Sequence, residues 1–156
     1  MSLPQIVEMI IGYGVDGFLN QKVFTRAEDP SAFFQKAIMT FLEMERQEEW
    51  AHLWIIPEDD VKTHIIRRIE GNKFSYIVND NKVTKVTIGR GRDGLKNQQW
   101  YAPDNEHRSA LAMMLISFIS MGSVFETHMW IDTDTGGTIH LVRMWEGKGK
   151  INYRKE

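Results

Sequence analysis

Two periodicities run along this chain. Between Pro30 and Glu48, apolar residues fall at helical spacing. Phe34, Ile38, Phe41 and Leu42 with Met44 form one stripe, and Gln35, Glu43, Arg46 and Gln47 stand opposite. An amphipathic helix is expected there. A second helix is expected from a cap at Asp104 or Asn105 to about Met121. Its middle (Leu111, Met113, Met114, Leu115, Ile116, Phe118, Ile119) is apolar almost all round, which predicts burial on most sides. Elsewhere the period is two. Residues 82–88 (KVTKVTI) alternate and are β-branched, and residues 135–147 (TGGTIHLVRMWEG) read as a strand that starts on glycine.

These patterns recur in order. Residues 11–21 read IGYGVDGFLNQ and residues 88–98 read IGRGRDGLKNQ, with seven of eleven positions identical. A chance match is roughly one in fifteen per position. Farther on, Phe41 recurs as Phe118 and Met44 as Met121. His52-Leu-Trp-Ile55 recurs as His128-Met-Trp-Ile131, and His64, Arg67, Glu70 and Gly71 recur as His140, Arg143, Glu146 and Gly147. Lys73 and Tyr76 return as Lys150 and Tyr153. The expectation is an internal duplication, with unit 1 at residues 1–79 and unit 2 at 80–156. Each unit should run strand, glycine loop, helix, three-stranded meander. Packed as one compact domain, they predict an α+β fold: two lobes about a pseudo-twofold axis, mainly antiparallel sheet with two helices on it. The repeat also decides a local conflict. Residues 57–71 (PEDDVKTHIIRRIEG) carry helix signals, yet their counterpart is strand-like, so 61–70 is expected to be a strand; residues 5–11 follow by the same logic.

Composition narrows the chemistry. The chain has 156 residues, 42% hydrophobic and 26% charged, and 19 Lys+Arg against 21 Asp+Glu leave a net charge of −2. That balance gives no whole-molecule attraction to nucleic acid or anionic membrane. The absence of cysteine excludes a disulfide framework, a thiolate zinc site and a cysteine nucleophile. The N-terminal residues lack a signal-peptide pattern, and the apolar run at 110–121 is too short to span a bilayer. A cytoplasmic protein with no cofactor and no membrane association is expected.

Both glycine loops read G-x-G-x-x-G, but no helix opens directly on either, so the dinucleotide reading fails. The expected role is a bend in which Asp16 or Asp93 bonds its own backbone. In the second loop Arg90, Arg92 and Lys96 lie near Trp100 and Tyr101, an alternative seat for an anion or single-stranded nucleic acid.

Pairing Phe125, Met129 and Ile131 with Val142 and Met144 as one apolar face turns His128 and His140 to opposite sides, so no metal site is expected. The other face then collects His128, Trp130, Leu141, Arg143 and Trp145, with His52, Trp54, Ile65, Arg67 and Ile69 in the first copy. This duplicated His-Trp-Arg surface, or a groove between the lobes, is expected to bind a partner protein, a small anionic ligand or a second copy of the chain, without catalysis. The enzymatic alternative makes His52 and His128 an acid/base pair for phosphoester chemistry across a shared cleft. Two-histidine phosphoesterases, similar in their two-lobed duplicated plan, carry H-x-T or H-x-S twice. Here His52-Leu-Trp54 and His128-Met-Trp130 offer no phosphate-binding hydroxyl.

Overall fold

The computed structural model describes residues 3–42, 49–71, 73–102 and 110–156. The strands are β1 (Ile6–Tyr13), β2 (Leu19–Thr25), β3 (Trp50–Pro57), β4 (Thr63–Glu70), β5 (Lys73–Val78), β6 (Asn81–Arg90), β7 (Lys96–Tyr101), β8 (Glu126–Thr133), β9 (Thr138–Trp145) and β10 (Ile151–Lys155). The helices are α1 (Phe33–Leu42) and α2 (Ala110–Ile119). The fold is therefore α+β, dominated by antiparallel sheet. The ten strands form one sheet, ordered β10-β9-β8-β6-β5-β4-β3-β1-β2, with β7 also on β6. One run is thus β2-β1-β3-β4-β5 and the other β7-β6-β8-β9-β10, and the two have the same order.

The runs meet twice. β5 turns into β6 through Asn79 and Asp80, both at positive φ (48° and 65°), the geometry of a tight hairpin turn whose twist matches the strands. At the other seam Gln5 bridges Arg154, and the Lys155 N–H donates to the Pro4 carbonyl at 3.0 Å.

Alternation along the strands divides the two faces. Leu53, Ile55, Met129 and Ile131 enter the core beneath the helices, while their neighbours His52, Trp54, His128 and Trp130 point the other way. Residues 63–70 form a strand despite the helical signals before them, because Ile65 pairs Leu53 and enters that core. α1 buries Phe33, Phe34, Ala37, Ile38 and Phe41. Phe34 stacks on Tyr153 of β10 at 3.8 Å and meets Phe118 of α2 edge-on at 6.3 Å, so both helices and both strand runs share one core. Asp29 caps the entry to α1, its carboxylate accepting from the Ala32 N–H at 3.2 Å.

Two expectations need correction. α2 buries Leu111, Met114, Leu115, Phe118 and Ile119, but Met113 and Ile116 are 52% and 42% exposed. The sheet and α1 cover only one of its sides. The glycine segments also do not lead directly toward the helices: each is the tip of a hairpin, β1–β2 or β6–β7, so a strand absent from the expected order follows it. β7 is exposed throughout and β2 over its first five residues, so neither shows the one-sided alternation that marks a strand in sequence. The expected extension of α1 through 43–48 and the cap at Asp104 or Asn105 lie outside the described residues. Among the described residues no helix is long and apolar enough to cross a membrane.

Candidate functional site

The glycine hairpins fold over the histidine–tryptophan face. A Cβ on Gly17 would lie 2.5 Å from the Trp54 ring and 2.7 Å from the His52 ring. On Gly94 it would lie 2.3 Å from Trp130 and 2.9 Å from His128. A Cβ on Gly12 or Gly89 would strike the carbonyl oxygen of Gly17 or Gly94 at 1.7 Å. The bend itself is held as expected, with Asp16 accepting from the Phe18 N–H at 3.1 Å and Asp93 from the Leu95 N–H at 3.0 Å. Gln21 and Gln98 donate to the carbonyls of Gly17 and Gly94 at 3.1 and 2.9 Å. Gly17 and Gly94 thus serve close approach to aromatic rings, and Gly12 and Gly89 close approach of backbone to backbone.

Beneath each hairpin lies a ring stack. Trp54 lies parallel to His64 at 4.7 Å, and His52 bonds His64 through Nδ1···Nε2 at 2.8 Å. Trp130 stacks on His140 at 4.9 Å, and His128 Nδ1 lies 2.7 Å from His140 Nε2.

The strand register decides which residues meet, and it differs by one residue from the apolar pairing inferred from sequence. Met129 faces Leu141 and Ile131 faces Ile139, so Trp130 faces His140 and His128 faces Val142. A one-residue slip transfers every side chain to the other face. The histidines of each hairpin therefore converge, and the arginines leave them. Arg143 pairs with Thr127 and Arg67 with Ala51, both on the core side, and both arginines are buried. Trp145 shares Arg143's side. The expected His-Trp-Arg surface is split by the sheet. His52 and His128 stand in separate strand runs, each bonded within its own hairpin.

The two dyads end differently. His52 Nε2 faces the carbonyls of Gly14 and Val15 at 3.0 and 3.1 Å, so Nε2–H donates and Nδ1 accepts from His64. Burial pushes the pKa of both imidazoles below the usual value, opposed at His52 by those carbonyls. In the second dyad His140 Nδ1 lies 2.5 Å from Glu156 Oε2, which makes Nδ1–H the donor. A neutral His140 then accepts on Nε2 from His128 Nδ1–H, leaving His128 Nε2 bare. That nitrogen lies 3.4 Å from Glu126 Oε2, and among the described residues neither buried atom has a hydrogen-bond partner.

Beside this end is a cavity of about 360 Å³. Arg92, Arg154, Glu126 and His128 line it together with Leu3, Val142 and Met144. Arg154 is anchored there, Nη1 donating to the Leu3 carbonyl at 2.7 Å and Nε to Asn152 at 3.2 Å. Sequence reasoning missed Glu126, Arg154 and Glu156. None repeats or belongs to a motif, and only the seam between β10 and the N-terminal segment brings Leu3 and Arg154 together.

The Arg90–Tyr101 set disperses. Arg92 joins the His128 cavity, whereas Arg90 lines a second one of about 370 Å³ with Asn97, Gln98, Gln99 and Met121. Lys96 pairs across from Arg90. Trp100 is 61% exposed, with Lys85 Nζ 5.0 Å from its ring centre. Among the described residues no three His, Asp or Glu are grouped to hold a metal ion. No protein-family model, curated protein or solved structure matches the chain.

Proposed function

We propose that the chain is a non-catalytic binding protein built by internal duplication, whose second unit holds a small organic anion in the His128 cavity. The duplication is supported by the common strand order of the two runs and by the matching glycine–histidine–tryptophan contacts. Under it, the two units compare like with like. In the first, carbonyls close the histidine chain, and Trp50, under the Arg68 guanidinium at 4.6 Å, stands where the second has Glu126. In the second the chain ends at a cavity. The observation that carries the reading is that cavity's lining, in which Arg92, Arg154 and His128 meet Leu3, Val142 and Met144, with Glu126 the one carboxylate. That combination suits a carboxylate with a short acyl chain, the guanidiniums taking the head group in charge-assisted hydrogen bonds.

Hexanoate tests it. Isothermal titration should detect binding that 1-hexanol does not reproduce. Arg92→Ala should weaken it about tenfold or more, the scale of one charge-assisted hydrogen bond. Equal binding of hexanol, or an Arg92→Ala affinity equal to wild type, would sink the proposal.

A further inference from the structure

We infer that the anion in the His128 cavity is taken up together with one proton, which the chain Glu126–His128–His140–Glu156 holds at its cavity end. This rests on the binding reading above. The chain has three gaps: Glu156 to His140 at 2.5 Å, His140 to His128 at 2.7 Å, and His128 to Glu126 at 3.4 Å. Two neutral imidazoles carry two N–H protons, enough for the first two gaps only. The third is left with two facing acceptors, His128 Nε2 and Glu126 Oε2, both buried and both without a hydrogen-bond partner. A third proton turns that repulsion into a bond and makes the histidine pair a cation.

The surroundings set when it enters. Arg92 from the glycine hairpin and Arg154 from β10 both line the cavity, as does the Glu126 carboxylate. Asp93 on the same hairpin is engaged by the Leu95 N–H. β9 contributes only Val142 and Met144 to the cavity. An anion in this cavity lies beside His128, so anion and added proton favour each other, and the coupling is reciprocal. The first unit lacks the device, because the carbonyls of Gly14 and Val15 fix a proton on His52 Nε2.

Hexanoate titrations of the full chain between pH 6 and 8, repeated in buffers of different ionisation enthalpy, read the coupling directly. Affinity should rise as pH falls, approaching about tenfold per pH unit, with up to one proton absorbed per anion bound. Glu156→Gln alters an exposed side chain and should flatten the pH dependence while binding persists; His64→Gln, in the first unit, should leave it unchanged. Hexanoate bound with the same affinity across the range and no proton uptake would overturn this inference and leave the binding site standing. No hexanoate binding at any pH would overturn both.

Discussion

Gly94 sits where a side chain has two separate reasons to be excluded. Its φ is +72°, and a Cβ would lie 2.3 Å from Trp130. Gly71 has a similar φ of +62° with nothing within 4 Å. Gly71→Ala should therefore cost only the left-handed strain, about 1 kcal/mol. Gly94→Ala adds displacement of a packed ring and should cost about 3 kcal/mol or more. Urea denaturation of both variants separates the terms; equal losses would show that the hairpin does not press on the rings. The first dyad makes a pH prediction. Burial lowers the pKa of His52 and His64 in the folded protein, so below the unfolded value of 6.5 the unfolded chain binds more protons. Their contribution is complete above that pH and lost as pH falls through it. Melting temperature should drop below pH 6.5, less steeply in His64→Gln than in wild type.

At the scale of elements, α2 shows how far an apolar pattern can mislead. Its residues are apolar almost all round, yet only one face meets the sheet and α1. Met114 is 1% exposed and Met113 is 52% exposed. Met114→Ala should cost about 2–4 kcal/mol, whereas Met113→Ala should stay within about 0.5 kcal/mol. Similar losses, read from denaturation midpoints, would place a cover over Met113. The β5–β6 hairpin makes the complementary case. Asp80 holds φ of 65° in a two-residue turn that favours glycine at its second position. Asp80→Gly should stabilise by about 0.5 kcal/mol, since relief of strain outweighs the added freedom of the unfolded chain.

The whole molecule is closed at its second seam by a buried cation. Lys155 is 6% exposed, and its amine donates to the Val61 carbonyl at 3.0 Å, linking β10 to the β3–β4 connection. Burial lowers its pKa from 10.5, with Asp59 pulling the other way. Lys155→Met should stabilise by about 1 kcal/mol at neutral pH, because an apolar side chain of similar length avoids desolvating a charge. Val61 is 57% exposed, so its carbonyl can turn to water. The advantage should shrink as pH rises toward 10.5, where the unfolded lysine also loses its proton. A destabilised variant at neutral pH would show that the amine is needed to hold the seam.

Much of the strand layout was legible from the chain alone, for local reasons. Alternation marked residues 82–88, and the match of KTHIIRRIEG to TIHLVRMWEG outweighed the helical signals ahead of it. The aspartate bends at Asp16 and Asp93 followed from spacing. What sequence could not fix was register. Met129, Ile131, Val142 and Met144 are all apolar, so more than one pairing of β8 with β9 satisfies the hydrophobic pattern, and one step decides whether His128 meets His140 or Arg143. Tertiary packing made that choice by setting Leu141 against Met129 in the core beneath the helices. It also brought Leu3, Arg154 and Glu126 to one cavity, a meeting between segments far apart in the chain. Neither periodicity nor repetition carries information about such a meeting, because both act over a few residues or between like positions, while the cavity joins unlike ones.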